Sequence, residues 1–178
     1  MKLFFTSLAL MLLTGCTQQA NLATPITSHV MKKTLSNDPL AHQINIAISE
    51  NPDINRSTSI RVIAQGHQVV LLGQSPQPEL SNDAEQIAAA LPSTEQVYNY
   101  ITIKKPLSSE TRTKDLLLNT QIQQALRGQN LLYSGQIVTI EDQVAYFVGP
   151  DVFENYEPIE QAILNIHPSI TIIPISLS

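Results

Sequence analysis

The sequence predicts an α+β chain: two successive α-β-β-α-β units behind a short leader. Three observations carry this. The apolar residues switch between a 3.6-residue and a 2-residue period in a fixed order. The same order occurs twice, at an offset of roughly 75–78 residues. Hydrophobic residues make up 43% of the 178 residues and charged ones 14%, a globular composition.

The leader comes first. Met1-Lys2 is followed by an almost continuously apolar run from Leu3 to Leu13, then Thr14-Gly15-Cys16. A positive start, a short apolar core and small residues before a cut site describe a secretory signal peptide over residues 1–15. The run is about half of the roughly 20 residues that a spanning helix needs. Cys16 is the only cysteine, which excludes an intrachain disulfide and a Cys-rich zinc site. Residues 16–36 carry Thr, Ser and Gln without an apolar period and are expected to form a tether. Lys32 and Lys33 would add only about 1 kcal/mol each near an anionic surface.

In the first unit, Leu40, Ala47, Ile44 and Ile48 share a helical face that Asp38 can cap. Ile60 and Val62 alternate, Gln65-Gly66-His67 turns, and Val70 and Leu72 alternate again. Gly73 closes that run. Ala84, Ile87, Ala88 and Leu91 form a second helical stripe, ended by Pro92. In the last strand Tyr98 and Tyr100 mark one face, and Val97, Asn99 and Ile101 the other.

The second unit repeats the order: a helix over Asp115–Gln129, strands over Gln136–Ile140 and Val144–Val148, a helix over Glu157–Ile166 and a strand over Ile170–Ile175. Gln121-Ile122, Gly149, Glu160-Gln161 and Pro168-Ser169 stand where the first unit has Gln43-Ile44, Gly73, Glu85-Gln86 and Pro92-Ser93. Pro174 cannot donate to a ladder, so the last strand is expected either to end near it or to lie at a sheet edge. The Ser/Thr-rich stretch over residues 106–114 is the expected linker. Units of about 65 residues are small for independent stability, so the two are expected to pack together.

Leu13-Thr14-Gly15-Cys16 resembles the lipobox of bacterial lipoproteins. The resemblance implies a diacylglycerol on the Cys16 sulfur, cleavage before Cys16 and an N-acyl chain on the new terminus; no other cofactor is implied. With Thr17 rather than Asp next, it also implies sorting to the outer membrane. Removal of Lys2 leaves nine bases against fifteen acids.

The run Val70-Leu71-Leu72-Gly73-Gln74-Ser75-Pro76, then Glu79-Leu80-Ser81, Ala84, Gln86-Ile87-Ala88 and Glu95-Gln96-Val97-Tyr98-Asn99, resembles the BON-domain lipoproteins of the Gram-negative periplasm. Among these it is similar to the dual-BON outer-membrane lipoproteins associated with division, envelope stress and lipid binding. The fold implied is two tandem BON domains, 37–105 and 115–178, each a three-stranded mixed sheet packed on two helices. Gly73 and Gly149 are expected to be structural. The second copy departs from the pattern: Glu141-Asp142-Gln143 replaces the hairpin turn that holds Gly66, and the loop from Pro150 to Tyr156 has little likeness to the family.

The resemblance implies phospholipid contact through the first helix of the second domain. Leu118, Ile122, Ala125 and Leu126 share its core face, which leaves Leu116 and Leu117 outside the stripe. Leu131, Leu132 and Tyr133 follow the helix. These five residues are the candidate lipid contacts, although Leu131 and Leu132 could instead close the core beneath the helix end. Two features oppose this. The chain has no tryptophan, whereas a member of the family it resembles carries one on this helix, suited to the interface zone; Leu117 falls near that place. Residues 115–178 also hold seven acids, Asp115, Glu141, Asp142, Asp151, Glu154, Glu157 and Glu160, against Arg127 alone. An anionic surface repels such a domain unless apolar insertion dominates or the acids lie on the far side.

The acidic balance excludes an ordinary nucleic-acid binder. His29, His42, His67 and His167 show no metal-ligand spacing. No nucleophile elbow or phosphate loop is present. Glu141-Asp142, and Asp151 with Glu154, are expected as solvated turn charges, so the chain is not expected to be an enzyme. Two functions follow: phospholipid binding in support of outer-membrane integrity, or a tethered module that engages an envelope protein through its acidic half or a strand edge.

Overall fold

The computed structural model describes residues 38–177; the signal peptide, Cys16 and the tether lie outside them. The first half runs α1 (Pro39–Glu50), α2 (Pro52–Ser57), β1 (Ser59–Gln65), β2 (Gln68–Ser75), α3 (Pro78–Ala89) and β3 (Gln96–Ile103). The second runs α4 (Ser109–Gly128), β4 (Ile137–Glu141), β5 (Val144–Gly149), α5 (Tyr156–Ile166) and β6 (Thr171–Ser176). Each half forms one three-stranded sheet, in the orders β1-β2-β3 and β4-β5-β6. In both, the hairpin pair is antiparallel and the pair closed by the crossover helix is parallel. The chain is therefore α+β, with two mixed sheets.

Local chemistry accounts for the elements. Asp38 caps α1 by accepting from Leu40 N at 2.8 Å, and Pro39 starts it. Asn51 ends α1 and at once caps α2, accepting from Asp53 N and Ile54 N. This short α2 was not expected from periodicity; it seats Ile54 in the core. A second difference lies in the linker. Ser108 accepts from Thr111 N, and α4 begins at Ser109, so most of the expected linker is the first turn and a half of a helix. The Ser/Thr content that suggested a loop is the content of a helix start. Pro174 pairs opposite Phe147 on β6, an edge strand.

The central strands β2 and β5 are apolar on both faces because each serves two cores. Val69 and Leu71 pack under the first-half helices, with Ile44, Ile48, Ile54 and Ala84. Ala145 and Phe147 pack under the second-half helices, with Ile122, Leu126, Ile159 and Ile163. The alternate residues, Val70, Leu72, Tyr146 and Val148, meet in a third core with Ile63, Ile175 and Leu177. The sheets thus stack face to face, with the helices outside. Tyr100 meets Tyr146 edge to face, centroids 6.0 Å apart. Arg61 on β1 donates to Thr139 Oγ1 at 2.7 Å and pairs with Glu141 at 3.6 Å.

Burial, then the Glu141 and Asp142 carboxylates and Tyr100, push the Tyr146 hydroxyl above its ordinary value. The neutral phenol is favoured in the folded state. Its stabilising contribution is complete below about pH 10, the unfolded value, and is lost as pH rises through the higher folded value. Alkaline titration should therefore loosen the sheet stack first, read as a rise in Tyr absorbance together with a drop in thermal midpoint.

Residues 37–105 expressed alone would expose Ile63, Val70, Leu72, Tyr98 and Tyr100. Losing burial worth about 1.5–3 kcal/mol for each large side chain, the fragment should self-associate or unfold at lower urea than the whole chain. A monomeric fragment with an unchanged midpoint would contradict this.

Candidate functional site

The α4 helix positions the candidate contacts. Its inward stripe is Asp115, Ile122 and Leu126, all buried, with Leu118 packed against the same core. At 100° per residue, Leu116 and Leu117 point outward, and they are 53% and 61% exposed. Leu131 and Leu132 behave differently. Both are half-buried against the second core, so closing that core is what they do. Tyr133 is exposed, but it stands past the other end of α4. From Leu117 to Gly128 the helix rises by roughly 16 Å. The five candidates therefore do not form one patch.

Phe153 was not singled out from the sequence. At 67% exposed it is the most exposed large apolar residue among those described. Val152 and Asn155, both buried, hold its loop. Asn155 donates to Leu131 O at 2.6 Å and exchanges bonds with Gln136, which also donates to Pro150 O at 2.8 Å. This network joins the loop before β4 to the loop after β5. Asn155→Ala should remove the bond to Leu131 O and both bonds shared with Gln136 and cost about 2 kcal/mol, measured by urea unfolding.

Charge is sorted along α4. Asp151, Glu154 and Glu157 gather near its C-terminal end, because Asn155 ties their loop to Leu131. Roughly 16 Å of helix separates that end from Leu117, about two screening lengths at physiological salt. Around the leucines stand Arg112 and Lys114, the latter paired with Glu110 at 2.8 Å.

Glu141 and Asp142 are not solvated turn charges. Glu141 pairs with Arg61 and accepts from Gln74 Nε2 at 2.8 Å; Asp142 pairs with Lys104. Their partners belong to the first half, which a reading of one turn at a time could not supply.

Asp115 is only 6% exposed. Its two oxygens accept from Asp142 N at 2.7 Å and Gln143 N at 3.0 Å. These are the two central residues of the hairpin turn, at φ 53° and 61°. A two-residue turn with both φ positive ordinarily takes Asn-Gly or Asp-Gly. Here the Asp115 carboxylate supports a glycine-free version. The signal was present in the sequence, since Asp115 shares the phase of Ile122 seven residues on.

Gly73 does not end its strand, as had been expected; β2 continues to Ser75. It sits at φ 125°, and an added Cβ would lie well inside contact with the Ser59 carbonyl oxygen. Gly149, at φ 144°, closes β5, and a Cβ there would lie 2.7 Å from Gly135 O. Among the described residues no group of three or more His, Cys, Asp or Glu is placed to hold a metal. No described helix is long and apolar enough to cross a membrane.

Residues 36–105 match the family model of the BON domain. The chain is 23% identical over 88 residues to the outer membrane lipoprotein DolP of Haemophilus influenzae, a match covering 49% of this chain and 46% of that protein. The matched part is thus less than half of that relative's length. Among solved structures, two of CdsD, a structural protein of the type III secretion system of Chlamydia trachomatis, are similar at TM-score 0.30. One is its C-terminal domain, with 10% identity, 81% of this chain and all of that chain covered. The other has 11% identity, with 78% and 92% covered. Likenesses this weak carry neither fold nor function across.

Proposed function

We propose that this chain, whose residues 36–105 match the BON domain, is an outer-membrane lipoprotein, facing the periplasm, which binds phospholipid through α4 and so supports envelope integrity. In this reading residues 115–178, with their matching order of elements and mixed sheet, are a second BON domain. Cys16 carries the diacylglycerol and N-acyl chains. Two or more chains make such anchoring stable, and the tether lets the folded part reach the same bilayer. The protein performs no catalysis.

One observation carries the lipid reading: Leu116 and Leu117 are exposed side by side on a part of α4 where Arg112 and Lys114 offset Glu110 and Asp115, in an otherwise acidic half. The objection from net charge weakens once the acids are located. Asp115, Glu141 and Asp142 are bonded inside the molecule. Asp151, Glu154 and Glu157 lie toward the other end of α4. What approaches a bilayer at Leu116 and Leu117 is two alkyl side chains flanked by Arg112 and by Lys114 in its pair with Glu110. These can meet headgroup phosphates while the leucines enter the acyl boundary.

The test is co-sedimentation of residues 32–178, free of the lipid anchor, with phosphatidylglycerol-containing and with purely zwitterionic vesicles. The expected result is binding to both, stronger to the anionic vesicles and weakened by salt. Equal and negligible binding to the two would remove the lipid reading. The field would then pass to the alternative, a tethered module for an envelope protein, whether or not it gathers at the division site.

A further inference from the structure

Asp115 supports a hairpin turn that lacks the usual glycine, and through that turn it is linked to the first half of the chain. It lies on α4, directly before Leu116 and Leu117. It holds both N–H groups of the β4–β5 turn. That turn is in turn held by the first half, Asp142 by Lys104 and Glu141 by Arg61 and Gln74. Lys104 is itself fixed, its N–H donating to Ser75 O at 2.7 Å. A chain of charge-assisted bonds therefore runs from β2 and β3, through the turn, to the helix that carries the exposed leucines.

We propose that Asp115 is a positioning residue for the membrane-contact face: it clamps the N-terminal part of α4 to a turn that the first half holds, so that Leu116 and Leu117 are presented at a fixed angle to both sheets. The clamp rests on the lipid reading above for its purpose, though not for its geometry. Buried packing alone leaves this part of α4 weakly held. Toward its N-terminus the inward stripe offers only half-buried Leu118 before Asp115, and the fully buried Ile122 and Leu126 lie further along. The carboxylate stands where an apolar anchor would otherwise be needed.

Asp115 has two roles that can be separated. It supports a strained turn, and it ties the helix to that turn. Gln143→Gly gives the turn an Asp-Gly pair that needs no outside help and leaves the Asp142–Lys104 pair in place. Asp115→Ala with Gln143→Gly therefore restores the turn without restoring the tie.

The experiment uses the full lipidated chain in vesicles of phosphatidylethanolamine and phosphatidylglycerol with brominated acyl chains. The chain has no tryptophan, so Leu117→Trp adds a single fluorescent reporter of contact. D115A in this background is expected to melt lower and to lose at least about half of the bromine quenching, as an equilibrium shifted by the loss of charge-assisted bonds should. D115A/Q143G is expected to melt near the reference but to keep the reduced quenching of D115A. Recovery of quenching in D115A/Q143G, or unchanged quenching in D115A, would overturn the proposal. If the Leu117→Trp reference itself shows no quenching, the lipid reading fails and amide exchange of the same proteins in detergent decides on the clamp. Exchange over the Ser109–Leu117 stretch about tenfold faster in D115A/Q143G than in Q143G supports it; equal rates overturn it.

Discussion

Leu116→Asp with Leu117→Asp is expected to lower vesicle affinity by about a hundredfold or more while leaving the thermal midpoint almost unchanged. Burying a leucine side chain in an apolar phase is worth about 1.5–3 kcal/mol, so two inserting residues account for about 3–6 kcal/mol, with a charge penalty besides. The fold should tolerate the change because both side chains are exposed and the inward stripe is untouched. Affinity by co-sedimentation of residues 32–178 and a thermal melt together decide. A collapsed melt would mean that the leucines are core, and unchanged affinity would move the contact elsewhere. Arg112→Gln with Lys114→Gln should have a smaller effect, visible at low salt and absent at high salt.

The second large effect is structural. Gly73→Ala is expected to cost about 3 kcal/mol or more: about 1–2 for a side chain at positive φ and about 1–3 for forcing Cβ against backbone that cannot move aside. Against a typical total of about 5–15 kcal/mol, that leaves the first half marginal. Gly149→Ala should follow closely, since its Cβ meets Gly135 O at 2.7 Å and Gln136 Cα at 2.8 Å. Gly66→Ala is the control. Its φ is also positive, at 59°, but nothing lies within 4 Å of the added atom, so only about 1 kcal/mol is expected. Urea midpoints should fall in the order Gly73, Gly149, Gly66, largest loss first. Equal losses at all three would show that backbone conformation alone, and not the close approach of β1 and of the chain before β4, explains these glycines.

Much of the architecture was legible because it depends on local periodicity. The stripes Leu40-Ile44-Ile48 and Ala84-Ala88, the turn at Gly66-His67 and the edge strand with Pro174 each follow from spacing or from one residue's chemistry. The double use of β2 and β5 escapes a reading of Val70 and Leu72 as alternating, although the unbroken apolar runs at Val69–Leu72 and Val144–Val148 call for cover on both faces. The short helix at Pro52–Ser57 was less visible, because six residues are too few for a period to show.

What only the tertiary structure decided was where charge and exposure fall. Counted along the sequence, residues 115–178 are uniformly acidic, and Asp115, Glu141 and Asp142 count against lipid contact. In the folded chain those three are bonded, to the turn's N–H groups and to Arg61 and Lys104 from residues nearly 40 or more positions away. Leu116 and Leu131 look alike in sequence, yet one faces water and the other closes a core. Periodicity assigns a side chain to a face of its own element. Whether that face meets solvent, a second sheet or an opposite charge depends on how distant elements pack, and the energies that settle it are set by contacts that no local window contains.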